Sequence, residues 1–228
     1  MIYALILHLD APMQSWGTDS RFQLRSAGYA PSKSAICGMV CAACGASKES
    51  PLEAEIITWF SKSKMDCFCI KEGGIMIDYH TIQNFRRASG QVSSREETVI
   101  SQRNYWQNSR YNVILSSEDY NFLARIHAAI QNPIWGIWFG RKCCLPAAPI
   151  IQEPIMAYAD AREKASAGSY ESFSEVDDFE SGTDTWFDQP MGFGKRNSSG
   201  REGRVYAPRR INHDYSLDGG DKVDFFNF

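Results

Sequence analysis

Residues 2–9, Ile-Tyr-Ala-Leu-Ile-Leu-His-Leu, are apolar almost without interruption and stop at the breaker run Asp10, Ala11, Pro12. Such a run reads as a buried strand, and the rest of the chain has to be arranged around it. Ser32, after Pro31, can cap a helix running to about Cys44 and stopped by Gly45. Ser50, Pro51 and Glu53 make a capping-box start for a second helix through Phe60. Residues 65–71 and 75–80 read as two strands of a hairpin with Glu72, Gly73 and Gly74 as its turn. Residues 84–110 lack an apolar period and hold five arginines against Glu96 and Glu97, the pattern of an exposed excursion. A strand at 111–115 follows, then a helix over 118–131 capped by Ser117, with Phe122, Ile126, Ala129 and Ile130 on one face. Asn132 and Pro133 stop it, and 134–139 reads as the last clear strand. This order predicts an α+β fold with a ferredoxin-like sheet and helices on one face. It occupies residues 1–148, and 149–228 reads as a smaller β-rich appendage with long loops.

The formal net charge of -3 hides a segregation. Residues 151–194 carry 2 basic and 10 acidic groups, whereas 195–210 carry 6 basic and one acidic. Fields depend on such local clustering, so one face can meet phosphates while another meets solvent or a protein. The seven cysteines are an odd, scattered set that points to reduced thiols. With no signal peptide or membrane-spanning stretch read, the expected compartment is the cytoplasm and no membrane partner is expected.

Cys37, Cys41 and Cys44 have the C-x3-C-x2-C spacing of a radical SAM cluster motif. On a capped helix, however, they lie along a stripe spanning about 10 Å, too long for three ligands of one cluster, and buried cysteine packs as a small hydrophobe. Core packing is the expectation, with no metal or cofactor. Cys67 and Cys69, and Cys143 and Cys144, lack zinc-ligand spacing, and His8, His80, His127 and His213 fall in no catalytic motif. Gly192, Gly194 and Lys195 fall short of a phosphate loop because Arg196 stands where Ser or Thr is needed. What remains is cations interleaved with aromatics, the composition that grips single-stranded nucleic acid. Trp16, Arg21, Phe22 and Arg25 lie in the first long loop, Lys33 sits at a helix N-terminus suited to anions, and Arg141 and Lys142 follow the last strand.

The run Leu9 to Gly17, with Pro12, Met13, Gln14, Trp16 and Gly17, resembles the segment after the first strand of the CasD family of type I-E CRISPR surveillance complexes. Pro31, Ser32, Lys33 and Ser34 are similar to that family's helix start. Glu97, Thr98, Arg103 and Tyr105, then Gly140, Arg141, Lys142, Cys143, Pro146 and Pro149, resemble two later motifs, and Asp188, Pro190, Phe193, Arg209 and Arg210 its closing pattern. Residues 160–187 match nothing in it.

The resemblance implies a ferredoxin-like, RNA-recognition-type fold with a protruding β-hairpin thumb at 84–110. It implies a non-catalytic subunit of the Cascade ribonucleoprotein that holds the 5′ handle of the crRNA, contacts the backbone subunit and helps seat the large subunit, meeting target DNA indirectly. The expected RNA-binding residues are Gln14, Trp16, Arg21, Arg25, Ser32, Lys33, Ser34, Arg86, Arg87, Arg103, Arg141, Lys142, Arg209 and Arg210, with no catalytic residue and no metal. An alternative within the resemblance is the repeat-cutting endoribonuclease of type I-C systems, for which His80, Lys33 and Tyr29 are the candidate acid and base groups. The remote alternative is a radical SAM or metal enzyme using the three cysteines.

Overall fold

The apolar run becomes β1 (Tyr3–Asp10), which is buried on both faces. Leu5, Leu7 and Leu9 belong to the larger core cluster, and Ala4 and Ile6 to a smaller one on the opposite side. The computed structural model describes residues 1–17, 23–86, 89–94, 97–177, 183–196 and 201–215. Short strands β2 (Met13–Gln14) and β3 (Leu24–Arg25) precede α1 (Lys33–Ala43) and α2 (Pro51–Lys62). Then come β4 (Lys64–Lys71), β5 (Gly74–Gln83), β6 (Thr98–Gln107), β7 (Arg110–Ser117) and α3 (Tyr120–Gln131). The chain closes with β8 (Met156–Ala157), α4 (Tyr158–Ser166), β9 (Glu171–Val176), β10 (Asp184–Arg196) and β11 (Arg201–Tyr215). Among the described residues no helix is long and apolar enough to cross a membrane.

The strands form a seven-stranded sheet, in the order β10-β11-β9-β4-β7-β1-β8, and a second sheet, β2-β6-β3, with β5 on β6. The α+β class therefore holds. α1 and α2 start where local chemistry predicts: Ser32 accepts the Ala35 amide, and Ser50 accepts the Glu53 amide while the Glu53 carboxylate takes the Glu49 amide at 2.6 Å. α1 is continuous through Cys37 and Cys41, both inside the larger core, with Cys44 at its C-cap. The stripe packs against neighbours, as its spacing on a helix predicts.

Four expectations need correction. β4 and β5 are not a hairpin: β4 pairs with β7 and β9, whereas β5 crosses into the second sheet and pairs with β6 over its whole length. The projecting hairpin thus begins at Gly74, and 98–107, read as part of an aperiodic excursion, is its returning strand. Its base is held by burial of Tyr105 and Trp106, and beyond that mainly by strand pairing. The chain switches sheets at one close crossing, where Gly73 lies against Gln107 and Ser109 so tightly that a Cβ would fall 2.4 Å from the Gln107 carbonyl oxygen. Asn108, opposite, takes the left-handed φ of 57° that asparagine tolerates.

Residues 134–139 are not a strand. The amides of Ile134 and Trp135 donate to the Ala43 and Ala42 carbonyls at the C-terminus of α1, so this run finishes a helix and does not join a sheet. The edge position beside β1 is taken by the two-residue β8. α3 is capped by Asp119, whose carboxylate accepts the Phe122 amide, and not by Ser117. Residues 149–228 are β-rich, yet β9 pairs with β4 and β11 with β9, so these strands extend the main sheet and do not stand apart from it.

The loop after 134–139 is pinned at Gly140, which has φ +91° and whose Cβ position lies 1.8 Å from the Ser15 carbonyl oxygen. Replacing Gly140 by Ala should destabilise the fold by more than the ~1–2 kcal/mol of left-handed strain alone, because backbone must also move. Urea unfolding measures this, and an unchanged midpoint would mean that the loop is not held against Ser15.

Candidate nucleic-acid interface

Two of the cations that the sequence singles out, Lys33 and Arg209, are structural. Lys33 is fully buried: its ammonium donates to both Glu175 carboxylate oxygens at 3.0 and 2.9 Å and to the Ser63 carbonyl at 2.5 Å. Burial pushes its pKa below the usual lysine range, with Glu175 pulling the other way. The anion position at the N-terminus of α1 is already filled, because the Lys33 amide donates to Asp188 at 2.6 Å. Arg209 closes the cluster, gripping Asp188 through two nitrogens at 2.6 and 3.0 Å, reaching Glu175 at 3.5 Å and lying over the Trp186 ring. Two cations and two carboxylates thus neutralise each other inside the protein. Lys33 and Arg209, expected to contact RNA, are corrected to core ion pairs.

Gln14 and Trp16 are likewise interior. The Gln14 amide donates to the Leu9 and Ser109 carbonyls and accepts the Trp16 indole N–H at 3.0 Å, while the Trp16 ring packs on Phe139. Ser32 is buried as a helix cap, and the half-buried Ser34 hydroxyl lies 3.2 Å from it. Arg210 bonds the Thr185 hydroxyl. Arg21 and Arg87 lie outside the described residues.

The remaining cations converge at the base of the hairpin. β3 pairs with β6 in a parallel register that sets Arg25 beside Arg103. Arg141, far away in sequence, is drawn to the same place: its guanidinium donates to the Asn104 carbonyl at 3.1 Å and the Arg25 carbonyl at 2.8 Å and lies over the Tyr105 ring at 4.6 Å. Lys142 follows, exposed, with its ammonium 5.6 Å from the centre of the Trp138 ring. Arg25, Arg103, Arg141 and Lys142 form no ion pair with another described residue, although Asp78 stands opposite Arg103 across β5 and β6. Because Arg141 spends its donors on backbone carbonyls, it staples the first loop to the hairpin and adds charge without a free fork. Arg86 is exposed at the far end of the hairpin, bridged to Val92.

The groups considered for RNA cutting have separate surroundings. Lys33 is buried in the ion cluster, and His80 is exposed on β5 with Asp78 at 4.0 Å. Tyr29 packs edge-on against Trp106 and Phe173, its pKa raised mainly by burial. Sequence reasoning missed a different pair: His213, which falls in no catalytic motif, lies on β11, stacks on Phe173 and bonds the buried Glu171 at 2.5 Å. Its surroundings belong to the β9–β11 pairing, a long-range contact with no local sequence signal.

If the cluster is structural, Lys33→Met should cost about 3 kcal/mol by leaving excess buried negative charge, and adding Glu175→Gln should restore much of it. Urea titration of the two variants is the check. A single variant as stable as the parent would show that the cluster does not hold the strands to the helix.

Comparisons with known proteins bear on this geometry. A family model described as "CRISPR-associated protein (Cas_Cas5)" matches residues 4–200. The chain is 23% identical over 154 residues to CRISPR system Cascade subunit CasD of Escherichia coli (strain K12), which covers 64% of this chain and 68% of that one. Among solved structures it resembles a chain of a "CRISPR RNA-guided surveillance complex" with TM-score 0.73 and 22% identity, covering 93% of this chain and 90% of the other. A "Crystal structure of Cas protein" matches with TM-score 0.64 and 21% identity, covering 93% and 94%. At these identities the structural likenesses speak to the fold.

Proposed function

The chain belongs to the CRISPR-associated Cas5 family, and from that premise we propose that it is a non-catalytic, CasD-type subunit of a type I-E Cascade complex that holds the 5′ handle of the crRNA. The observation that carries this reading is the strip Arg103, Arg25, Arg141 and Lys142, in which three separate segments bring cations together at the base of the hairpin. Phosphates bound along such a strip are positioned without being read for sequence, which suits a subunit whose RNA reads the target by its own base pairing. The E. coli relative is a Cascade subunit by name, and one structural neighbour comes from a surveillance complex, which supports assembly with other subunits.

The finer reading of the fold belongs here too. The order β4-β7-β1-β8, antiparallel where neighbours pair, with α1 and α2 after β1 and α3 after β7, supports a ferredoxin-like core whose fourth strand is only two residues long. The β5–β6 hairpin is then the thumb, reaching toward the next subunit of the backbone filament, and the large subunit is seated nearby. Work in the cytoplasm accords with the thiol chemistry. What supports leaving catalysis out of the proposal is that Lys33 is committed to the ion cluster while His80 stands exposed on the hairpin.

Arg25→Ala and Lys142→Ala should each weaken handle binding across RNA sequences and lower the salt dependence by about one counterion per contact, whereas folded Lys33 variants should keep the parental slope. Titrations at several salt concentrations test this, and unchanged slopes for both surface variants would move the RNA to another face. Replacing residues 84–97 with a short Gly-Ser linker should leave the core folded but impair assembly with the other subunits or target binding. Parental behaviour of that variant in reconstitution would dismiss the thumb assignment. Purified protein should not cut repeat RNA, and metal-independent cutting abolished by His80→Ala would make the endoribonuclease reading the better one.

A further inference from the structure

Of the seven cysteines Cys143 alone is exposed; Cys44 is half-buried and the other five are buried. One of those five is its neighbour Cys144, a member of the larger core cluster. The two sulfurs lie 4.0 Å apart, so an exposed thiol touches a buried one. Both belong to a turn, Arg141 to Cys144, closed by the Cys144 amide donating to the Arg141 carbonyl at 2.9 Å. The Cys144 carbonyl accepts the Phe139 amide at 2.8 Å, which fixes the second cysteine, while the Cys143 sulfur lies 3.8 Å from the Tyr105 hydroxyl.

A solvent-facing thiol in contact with a sheltered one is the arrangement of a reactive cysteine beside its resolving partner. Burial, with Cys143 next to it, pushes the Cys144 thiol up to about 12, which keeps it protonated and unreactive at neutral pH. Oxidation therefore starts at Cys143. Its sulfur attacks one oxygen of hydrogen peroxide, the O–O bond breaks, and the departing hydroxide takes the Cys143 proton as water, leaving a sulfenic acid. The Cys144 sulfur then attacks the Cys143 sulfur: an S–S bond forms, the S–O bond breaks, and the second hydroxide takes the Cys144 proton as water. Two thiols have lost two electrons, and the peroxide has gained them. Consecutive Cα atoms are about 3.8 Å apart, closer than the roughly 4.4–6.8 Å that disulfides usually span, so thiols reopen such a strained ring readily. A bond of this kind suits a reversible signal and not a structural tie.

We propose that Cys143 and Cys144 are a peroxide-responsive dithiol that closes to a vicinal disulfide and thereby weakens the strip of Arg25, Arg103, Arg141 and Lys142. Closure brings the sulfurs from 4.0 Å to about 2.0 Å, draws Cys143 from the Tyr105 hydroxyl and reshapes the turn that carries Arg141 and Lys142. From that turn Arg141 reaches the Asn104 and Arg25 carbonyls and the Tyr105 ring, so its hold on the first loop loosens with the turn. The effect on RNA rests on the reading of the strip as an RNA-binding surface; formation of the ring does not.

The full chain, freed of reductant, is treated with hydrogen peroxide and digested with trypsin, which leaves both cysteines in peptide 143–162. The peptide should lose two hydrogens and regain them with dithiothreitol. Cys144→Ser should instead leave a sulfenic acid at Cys143 that dimedone captures, and Cys143→Ser should leave Cys144 unoxidised. Parental Cys143 carried to sulfinic acid, or joined to another chain, with no loss of two hydrogens, would show that the sulfurs do not close. The oxidised parent should bind a short oligoadenylate about tenfold more weakly than the reduced parent, the worth of one charge-assisted hydrogen bond, and dithiothreitol should restore the binding. Cys143→Ser should bind equally with and without peroxide. Unchanged binding by the ring-closed parent overturns the coupling to the strip. Failure of the reduced parent to bind overturns the RNA reading and the coupling with it, while the peptide mass still decides the ring.

Discussion

The buried cluster of Lys33, Glu175, Asp188 and Arg209 is the contact on which the arrangement of this molecule depends. Each charge alone would be costly to remove from water, and only the four together, with the Ser63 carbonyl and the α1 amide, are satisfied. Its members come from the start of α1 and from β9, β10 and β11, so forming it joins the first third of the chain to the last. Gln189, next to Asp188, donates to the Phe60 and Ser61 carbonyls near the end of α2. One strand thus supplies an anion to the positive end of one helix and a donor to the negative end of the next, in the sense that helix dipoles favour.

That arrangement accounts for the continuity of the sheet. With β10 fastened to both helices, β11 and β9 are held in line with β4. Phe173 and Ile211 join the cluster that also contains Leu5, Leu7 and Leu9. On the other face of the sheet, Ala161 and Ala165 of α4 cover Ala4, Ile6 and Ile114, so β1 and β7 are buried on both sides. The hairpin is the opposite case: Ile75, Ile77 and Tyr79 of β5 remain exposed, and what holds the element, besides the burial of Tyr105 and Trp106 at its base, is its pairing to β6 and the tight crossing at Gly73 and Asn108.

The same division sorts the cations. Those with buried carboxylates opposite them became part of the structure, and those placed on the second sheet and the loop after Phe139 kept their charge at the surface. Arg141 falls between, since its guanidinium is used to hold the first loop against the hairpin. The proposed RNA-binding strip therefore owes its shape to backbone carbonyls gripped by an arginine, while its affinity would come mainly from the neighbours it brings close.

Local chemistry was legible in the sequence, because caps, breakers and apolar periods act within a few residues: the starts of α1 and α2, the buried β1 and the packing of Cys37 and Cys41 needed nothing more. The resemblance carried the family and pointed to Arg103, Arg141 and Lys142, while the cations interleaved with aromatics in the first loop pointed to Arg25. The partner of each charge was not legible. Lys33 and Lys142 look alike in sequence, and only the tertiary structure, by setting Glu175 against one and open solvent beside the other, separated a core residue from a candidate ligand contact. Strand pairing was hidden for the same reason, since β4 and β5 are neighbours in sequence and belong to different sheets, and 134–139 has the composition of a strand but spends its amides on a helix end. Periodicity reports how apolar a segment is on each side, whereas hydrogen-bond partners and counter-charges are supplied by residues a hundred or more positions away, and the fold alone decides which of them arrive.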